Sequence, residues 1–511
     1  MPDQGPLTGR SISVVGDGPT ARHARELLAC LGAGTDGEPG RVIDLSAAPA
    51  PLADWAGSGA MALSGRPDGP PLAAPGNPGG ATRAALTVFA ELARDRVAET
   101  WRAAGVELPG VEPPGFELPG VELLGERAAL AGFARRGPWS CGEAFRIVAA
   151  QDGWLGISLP REDDLSLVPA LVEDPRSAGD PWAAVAEWAA WTTAAAAAGR
   201  AQLLGIAAAV VSVGAPPSDA QREHRLETAR AAGRDSDAVR AGLAGRDGAR
   251  SALLLSAGGV RKRPERRPLV LDLSSLWAGP LCGHLLTLAG AEVVKIESTR
   301  RPDGARSGPP EFFALLHSGQ ASVALDLGSP AGVKSLRQLV AAADVVLEAS
   351  RPRAFEQWGI DAAEVVANGT IWTSITGYGR TGPWANRVGF GDDVAAAGGL
   401  VCPDGDQMLV CGDALADPLA GVHAAAATMA ALLSEQAHLI DLSMRDIAAW
   451  TARDGLAEHR VSRDDGGHWQ LETADGRFVV GEPVGRRPRG RAVRLGHDTA
   501  AIMARLSHAD G

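Results

Sequence analysis

Leu269-Val-Leu-Asp-Leu273, then Trp277-Ala-Gly-Pro280, a helical stretch from Leu281 to Leu288, and Gly290-Ala-Glu-Val-Val-Lys-Ile-Glu297 together set the fold class. The first five residues are a short apolar run of the kind buried on both faces in a parallel sheet. Gly290 stops the helix, and the residues after it read as a second strand. Ser322-Val-Ala-Leu-Asp-Leu327 reads as a third strand, Asp344-Val-Val-Leu-Glu348 as a fourth and Thr370-Ile-Trp-Thr-Ser-Ile375 as a fifth. Pro330 opens a helix that runs through about Ala342. Strands alternating with helices predict an open, doubly wound α/β sheet. Such sheets bind ligands beyond the carboxyl ends of their strands, which here are Ser274–Pro280, Glu297–Arg306, Glu348–Arg353 and Thr376–Arg380. No G-x-G-x-x-G follows the first strand and no G-x-x-x-x-G-K-[ST] occurs, so neither a dinucleotide nor an ATP site is expected.

The rest of the chain bounds this reading. Its 511 residues allow roughly two to four domains. Hydrophobic residues make up 45% and charged residues 22%, an ordinary balance for a packed globular protein. The net charge of −12 argues against general nucleic-acid binding, which needs a basic surface. Cys30, Cys141, Cys282, Cys402 and Cys411 are scattered and odd in number, which argues against a disulfide framework or a structural zinc site. The opening MPDQGPLTGR lacks an apolar signal core, and the most apolar-looking stretch, Trp188 to Ala198, is too short to span a bilayer. A cytoplasmic protein without a membrane partner is expected. Residues 105–124 repeat a pentapeptide four times, with proline in three units, and read as a surface loop. Residues 261–268 carry six charges and two prolines and read as a solvated basic linker. Asp417 stands directly before Pro418 at the head of an Ala-rich helix ending near Leu433. Asp at the N-cap with Pro at N1 is a standard helix start.

From Leu269 to Trp450 the chain resembles the family III CoA-transferases of the CaiB–BaiF type, which share their fold with the α-methylacyl-CoA racemases. The resemblance rests on ordered motifs. These are Leu271-Asp-Leu-Ser-Ser-Leu-Trp-Ala-Gly-Pro280, Gly290–Glu297, Ser322–Leu327 and Ser374-Ile-Thr-Gly-Tyr-Gly-Arg-Thr-Gly-Pro383. Asp417-x-x-x-Gly421, Ile440-Asp-Leu-Ser-Met444 and Leu495-Gly-His-Asp-Thr499 follow in the family's order. The resemblance implies an open Rossmann-like parallel sheet with a smaller α+β domain. It implies a coenzyme A thioester and a carboxylic acid as substrates, with no permanently bound cofactor and no metal. It also implies that Asp417 attacks the thioester, a role compatible with capping. A carboxylate ionised at neutral pH needs no activating base, and a helix N-terminus favours its charge.

Departures qualify the resemblance. His317-Ser-Gly-Gln-Ala321 occupies the place where many members carry an Asn-Arg-x-Lys-Arg stretch. The CoA site is therefore assigned to Trp277, Ala278, Arg300, Arg301, Arg306, Arg351, Arg353 and Arg380, because arginine suits phosphate. Phe390 stands where the racemases carry a histidine. A racemase or isomerase is the alternative reading, and a non-catalytic acyl-CoA-binding protein another.

The first half resembles the second. Ser11-Ile-Ser-Val-Val-Gly-Asp-Gly-Pro19 aligns with the start of Leu269–Ala291, Asp54–Ala62 with Asp393–Val401, and Asn77-Pro-Gly-Gly-Ala-Thr-Arg-Ala-Ala85 with Asp417–Ala425. A tandem duplication follows, with a degenerate copy over 1–260, a linker over 261–268 and the nucleophile-bearing copy over 269–511. Asn77 replaces the nucleophile in the first copy. Asp152–Leu159 and Asp475–Val480 look like the family's small-domain segment. Members are interlocked homodimers, so either a homodimer or an intrachain pseudo-dimer is expected.

Overall fold

The computed structural model describes residues 5–34, 40–103, 118–213, 252–261, 266–350 and 352–507. Residues 105–117 of the pentapeptide repeat, 262–265 of the expected linker and Arg351 lie outside the described residues.

The first half opens with two parallel strands, β1 (Ile12–Val15) and β2 (Arg41–Asp44), with helix α1 (Pro19–Cys30) between them in sequence. Helices α2 (Pro51–Gly57), α3 (Pro78–Ala103) and α4 (Glu126–Ala131) follow. An antiparallel sheet is formed by β3 (Phe145–Ala150), β4 (Gly153–Ser158) and β5 (Ala207–Val210), with α5 (Ala194–Leu203) ahead of its last strand. Strand β6 (Leu253–Val260) then leaves the first half altogether.

The second half holds the large sheet. Its strands are β7 (Leu269–Leu273), β8 (Glu292–Ser298), β9 (Ala321–Leu325), β10 (Val345–Glu348), β11 (Ile371–Thr376) and, later in the chain, β14. Between them run α6 (Ala278–Leu288), α7 (Pro310–His317), α8 (Pro330–Ala342) and α9 (Gly391–Ala397). A hairpin, β12 (Val401–Asp404) with β13 (Gln407–Val410), leads into α10 (Ala416–Leu433) and β14 (Gln436–Ser443). Helix α11 (Met444–Ala452) and a second antiparallel sheet of β15 (Arg460–Arg463), β16 (Trp469–Thr473) and β17 (Gly476–Val479) complete it. The strand order is β6-β14-β11-β10-β7-β8-β9. All neighbours are parallel except β6, which adds antiparallel to β14.

The apolar strands behave as their sequence dictates. Val270, Leu271, Val345, Val346 and Leu347 are fully buried, as strands covered on both faces must be. Ser329 accepts the amide of Gly332 at 3.1 Å and Pro330 takes the first turn, so α8 begins and ends where the sequence places it. The third strand begins one residue earlier and ends two earlier than expected. Asp344 is withdrawn from the fourth strand because its carboxylate accepts the Leu269 amide at 2.7 Å. The sequence reading missed β6 and β14 as strands. It also set the edge of the first half at 260, whereas β6 is the outer strand of the second half's sheet.

The two halves share one core. The fully buried Ala81, Ala84, Ala85, Val88 and Phe89 of α3 belong to the same cluster as the alanines of α10. Small residues on both helices let them approach closely. The hairpins exchange places: β16 and β17 pack on α2 of the first half, and β4 and β5 pack on α9 of the second. Gly481 donates its amide to the Ala56 carbonyl at 2.8 Å, and Ser158 donates its hydroxyl to Asp393 at 3.0 Å. Both hairpins turn at an Asp-Gly pair, with Ala150 opposite Gly153 and Thr473 opposite Gly476. His23 of α1 lies 2.8 Å from His423 of α10 and stacks on Trp450 of α11. His423 Nδ1 faces the Leu419 carbonyl at 2.7 Å and so carries the proton, which makes His23 Nε2 the donor between the rings. Burial pulls both imidazoles below their ordinary range, His423 to about 4.

Three expectations need correction. Arg261 of the basic linker is buried and caps α10, donating to the carbonyls of Ala431, Leu432 and Ser434 at 3.1, 2.8 and 3.1 Å. The last repeat unit is no surface loop, because Leu123 and Leu124 are fully buried. Among the described residues the helix long and apolar enough to cross a membrane is Ala416–Leu433, with mean hydropathy 1.2, and the rest of the molecule covers it.

Candidate active site

Every residue of α10 is buried except Asp417, which is only partly buried. Asp417 is the second residue of the helix and not its N-cap, a place taken by Leu415. Ala414 ahead of it has φ 46°, a left-handed conformation unfavourable for a residue with a Cβ. It is held there at both ends: its amide donates to Asp392 at 2.8 Å, and its carbonyl accepts the Asp417 amide at 2.8 Å. The amide of Ala278, at the start of α6, faces the Asp417 carboxylate and favours its charge. Gly421, one turn on, is forced by the same approach, since a Cβ there would lie 2.7 Å from the Ala278 carbonyl oxygen. The carboxylate backs onto Gly391, where a Cβ would lie 2.2 Å from Oδ2.

The charge balance at this carboxylate comes from both halves. Arg127 of α4 grips the fully buried Asp413 with two hydrogen bonds, one of them 2.8 Å. Its guanidinium lies 5.4 Å from the Trp277 ring centroid. Burial works against the Arg127 charge, but Asp413, then Asp392 and Asp417, raise its pKa overall. Burial likewise pushes Asp417 up to about 7, with Arg127 pulling it down and Asp392 and Asp413 adding to the rise. Asp392 is also pushed to about 7, by burial and by Asp413. Asp417 is therefore not the fully ionised carboxylate expected at a helix N-terminus. Burial and two like charges outweigh the macrodipole there.

Lys295 braces the turn that leads into α6. It is almost completely buried and sits 3.1 Å from Asp303 and 3.5 Å from Asp272, and those carboxylates, after the cost of burial, keep it protonated. Asp303 in turn accepts the amides of Leu276 at 3.0 Å and Ala305 at 2.9 Å. This fixes the corner in which Leu276 takes φ 69° and Trp277 precedes α6. Trp277 is buried against the edge of Phe312, and its Nε1 has no hydrogen-bond partner.

Trp277 and Ala278 thus join Asp417, while Arg300, Arg306 and Arg380 pair with other carboxylates. Arg306 holds the buried Glu297 through bonds of 2.8 and 2.6 Å and lies over Phe313. Arg380 pairs with the buried Glu348, whose carboxyl burial lifts to about 7 against the pull of Arg380. Arg300 pairs with Asp326 at 2.9 Å in an exposed position, and Arg301 is exposed. Arg351 lies outside the described residues, as does the side chain of Arg353. Asn77 is buried and accepts the Gly80 amide at 3.0 Å, the capping role that sequence alone allowed for Asp417. The sequence reading missed Arg127, Asp392, Asp413 and Lys295. Only Lys295 and Asp392 lay inside motifs that drew attention.

Residues 268–477 match the family model described as CoA-transferase family III. The succinate–glutarate CoA-transferase of Agrobacterium fabrum is 32% identical over 37% of this chain and 52% of its own. The succinyl-CoA–D-citramalate CoA-transferase of Chloroflexus aurantiacus is 35% identical over 34% and 47%. The chain thus spans about half the length of these curated relatives. A crystal structure of a CaiB/BaiF family protein from Brucella suis is 25% identical, with a TM-score of 0.36, over 47% of this chain and 76% of that one. The likeness to CoA-transferase family III extends over residues 268–477 of this chain.

Proposed function

We propose that the protein moves coenzyme A between an acyl thioester and a carboxylic acid, with Asp417 as nucleophile. The observation that carries this is the single opening in α10, at a carboxylate that meets the Ala278 amide and the field of Arg127. A carboxylate oxygen of Asp417 attacks the thioester carbonyl and displaces the thiolate, leaving a mixed anhydride. The thiolate attacks the Asp417 carbonyl carbon and releases the first acid, forming an aspartyl thioester. The acceptor carboxylate displaces the thiolate from that thioester, and the thiolate then takes the acceptor's acyl carbon and frees Asp417. Water and redox chemistry have no part. The Ala278 N–H and the Arg127 charge favour the oxyanions formed along this path. Trp277, Ala278, Arg300, Arg301, Arg351 and Arg353 are the proposed CoA contacts. Arg306 and Arg380 act through Glu297 and Glu348. The matched helices α3 and α10 and the exchanged Asp-Gly hairpins support a tandem duplication in which one chain forms its own pseudo-dimer.

Intact mass measurement after mixing with acyl-CoA tests the chemistry. A covalent adduct that hydroxylamine releases, mapped to Asp417 and absent from Asp417→Asn, is the expected result. Asp417→Asn should lose at least about a thousandfold in kcat while keeping its fold. Near-normal turnover in that variant would overturn the assignment.

A further inference from the structure

The seam between the halves closes on two histidines for which the proposed chemistry has no use. His23 of α1 is 5% exposed and His423 of α10 is fully buried, and their Nε2 atoms face each other at 2.8 Å. Trp450 of α11 stacks on His23 with ring centroids 3.7 Å apart and meets His423 edge-on at 5.4 Å. One arrangement of protons fits. The Leu419 carbonyl holds the His423 proton on Nδ1, so the bare Nε2 of His423 accepts from His23. A second proton on His423 puts two N–H groups face to face at 2.8 Å, in a place closed to solvent. A second proton on His23 keeps the hydrogen bond but buries a cation.

The surroundings oppose that charge. Arg22 of α1 and Arg453, just past α11, act on His23 as like charges. The carboxylates on the same elements are already engaged. Glu26 of α1 accepts Trp450 Nε1 at 2.7 Å and Arg453 at 2.6 and 2.8 Å, and Asp454 pairs with Arg22. Helix α3 packs on α1, and none of its titratable groups is among those acting on either ring. Burial, joined for His23 by His423 and the two arginines, accordingly holds both imidazoles below their ordinary range. A histidine freed from the seam titrates near about 6.5. The closed seam therefore binds fewer protons than the open one, and acid favours opening below that pH.

We infer that His23 and His423 form an acid-sensitive latch, which closes the first half onto the helix that carries Asp417 only while both rings are neutral. The latch is a property of the seam and stands or falls apart from the CoA-transfer reading. Its sign is opposite to that of Asp417, whose buried carboxyl takes up its extra proton in the closed state.

Backbone hydrogen exchange of the full chain between pH 7.5 and 5, corrected for the intrinsic pH dependence of exchange, tests the latch. The lower limit lies above the ordinary titration range of carboxylates. In the wild type, opening of α1 and of the His423 segment of α10 should increase below about pH 6.5. The increase should approach tenfold per pH unit for one ring and a hundredfold for both, with α8 as the reference. The double variant His23→Gln with His423→Gln keeps a donor and an acceptor and cannot titrate, so its profile should be flatter by that amount. His284 and His317, also held low by burial at about 3 and about 4, remain in both proteins and cancel in the comparison. A wild-type profile as flat as the variant's, or a variant profile as steep as the wild type's, would overturn the inference. A second measurement needs no folded variant. NMR titration of the wild type with labelled histidine should find both rings still neutral at pH 5.5, and a midpoint near 6.5 for either would overturn the latch.

Discussion

Asp417 was legible in the sequence as a position but not as an acid. Its place before Pro418 and four residues ahead of Gly421 marked it, whereas Arg127 and Asp413, which set its environment, lie in a distant helix and an unremarkable turn. With the group held near pKa 7, about half of it is protonated at neutral pH. In the proposed reaction only the ionised form attacks a thioester. The rate with limiting acyl-CoA should therefore rise with pH to a plateau, with its midpoint near 7. Asp392→Asn removes a like charge and should move that midpoint to lower pH, which a pH series of kcat/KM reads directly. The same shift bears on stability. An unfolded aspartate titrates near about 3.9, so between there and about 7 the folded chain binds the extra proton, and stability from this group falls as pH rises through that window. Asp417→Asn should then melt higher than wild type at pH 8, with a smaller difference at pH 5. An equal difference at both would show the carboxyl group to be unperturbed.

At the scale of elements, period and punctuation were readable and adjacency was not. Helix α8 could be read to the residue because Ser329 and Pro330 start it by local chemistry. Strand β14 escaped because Gln436, His438 and Asp441 interrupt its apolar run, and β6 because Gly258 and Gly259 weaken any strand pattern. Those glycines are needed where β6 passes residues 366–369, since a Cβ on Gly259 would lie 2.0 Å from the Ala367 carbonyl oxygen. Close approach also governs the corner at Asp417. Gly391→Ala places a methyl carbon against Asp417 Oδ2 and should cut kcat by about ten- to a thousandfold, while binding of a non-hydrolysable acyl-CoA analogue stays within a few-fold. A variant with normal kcat would mean that the carboxylate points elsewhere.

At the scale of the whole molecule, the sequence aligned the Asn77 and Asp417 segments but did not disclose how the two halves interpenetrate. Arg127 with Asp413 and Arg486 with Glu126 tie the halves together, the second pair at 2.7 and 2.8 Å. The site therefore has no complete set of residues in residues 261–511 alone. Glu126 is fully buried and its carboxyl is pushed up by burial against the pull of Arg486. Arg486→Met should destabilise the chain by about 3–5 kcal/mol by stranding that carboxylate, measurable by urea unfolding. A loss below about 1 kcal/mol would show the seam to be soft. The helix Ala416–Leu433 carries this dependence into biosynthesis. Its apolar surface is shielded by a segment the ribosome has made hundreds of residues earlier, so the shield is waiting when the helix emerges. Reversing that order, by making residues 261–511 without their predecessor, leaves the side of this helix that meets α3 bare to water, while α6, β11 and β14 still cover its other sides.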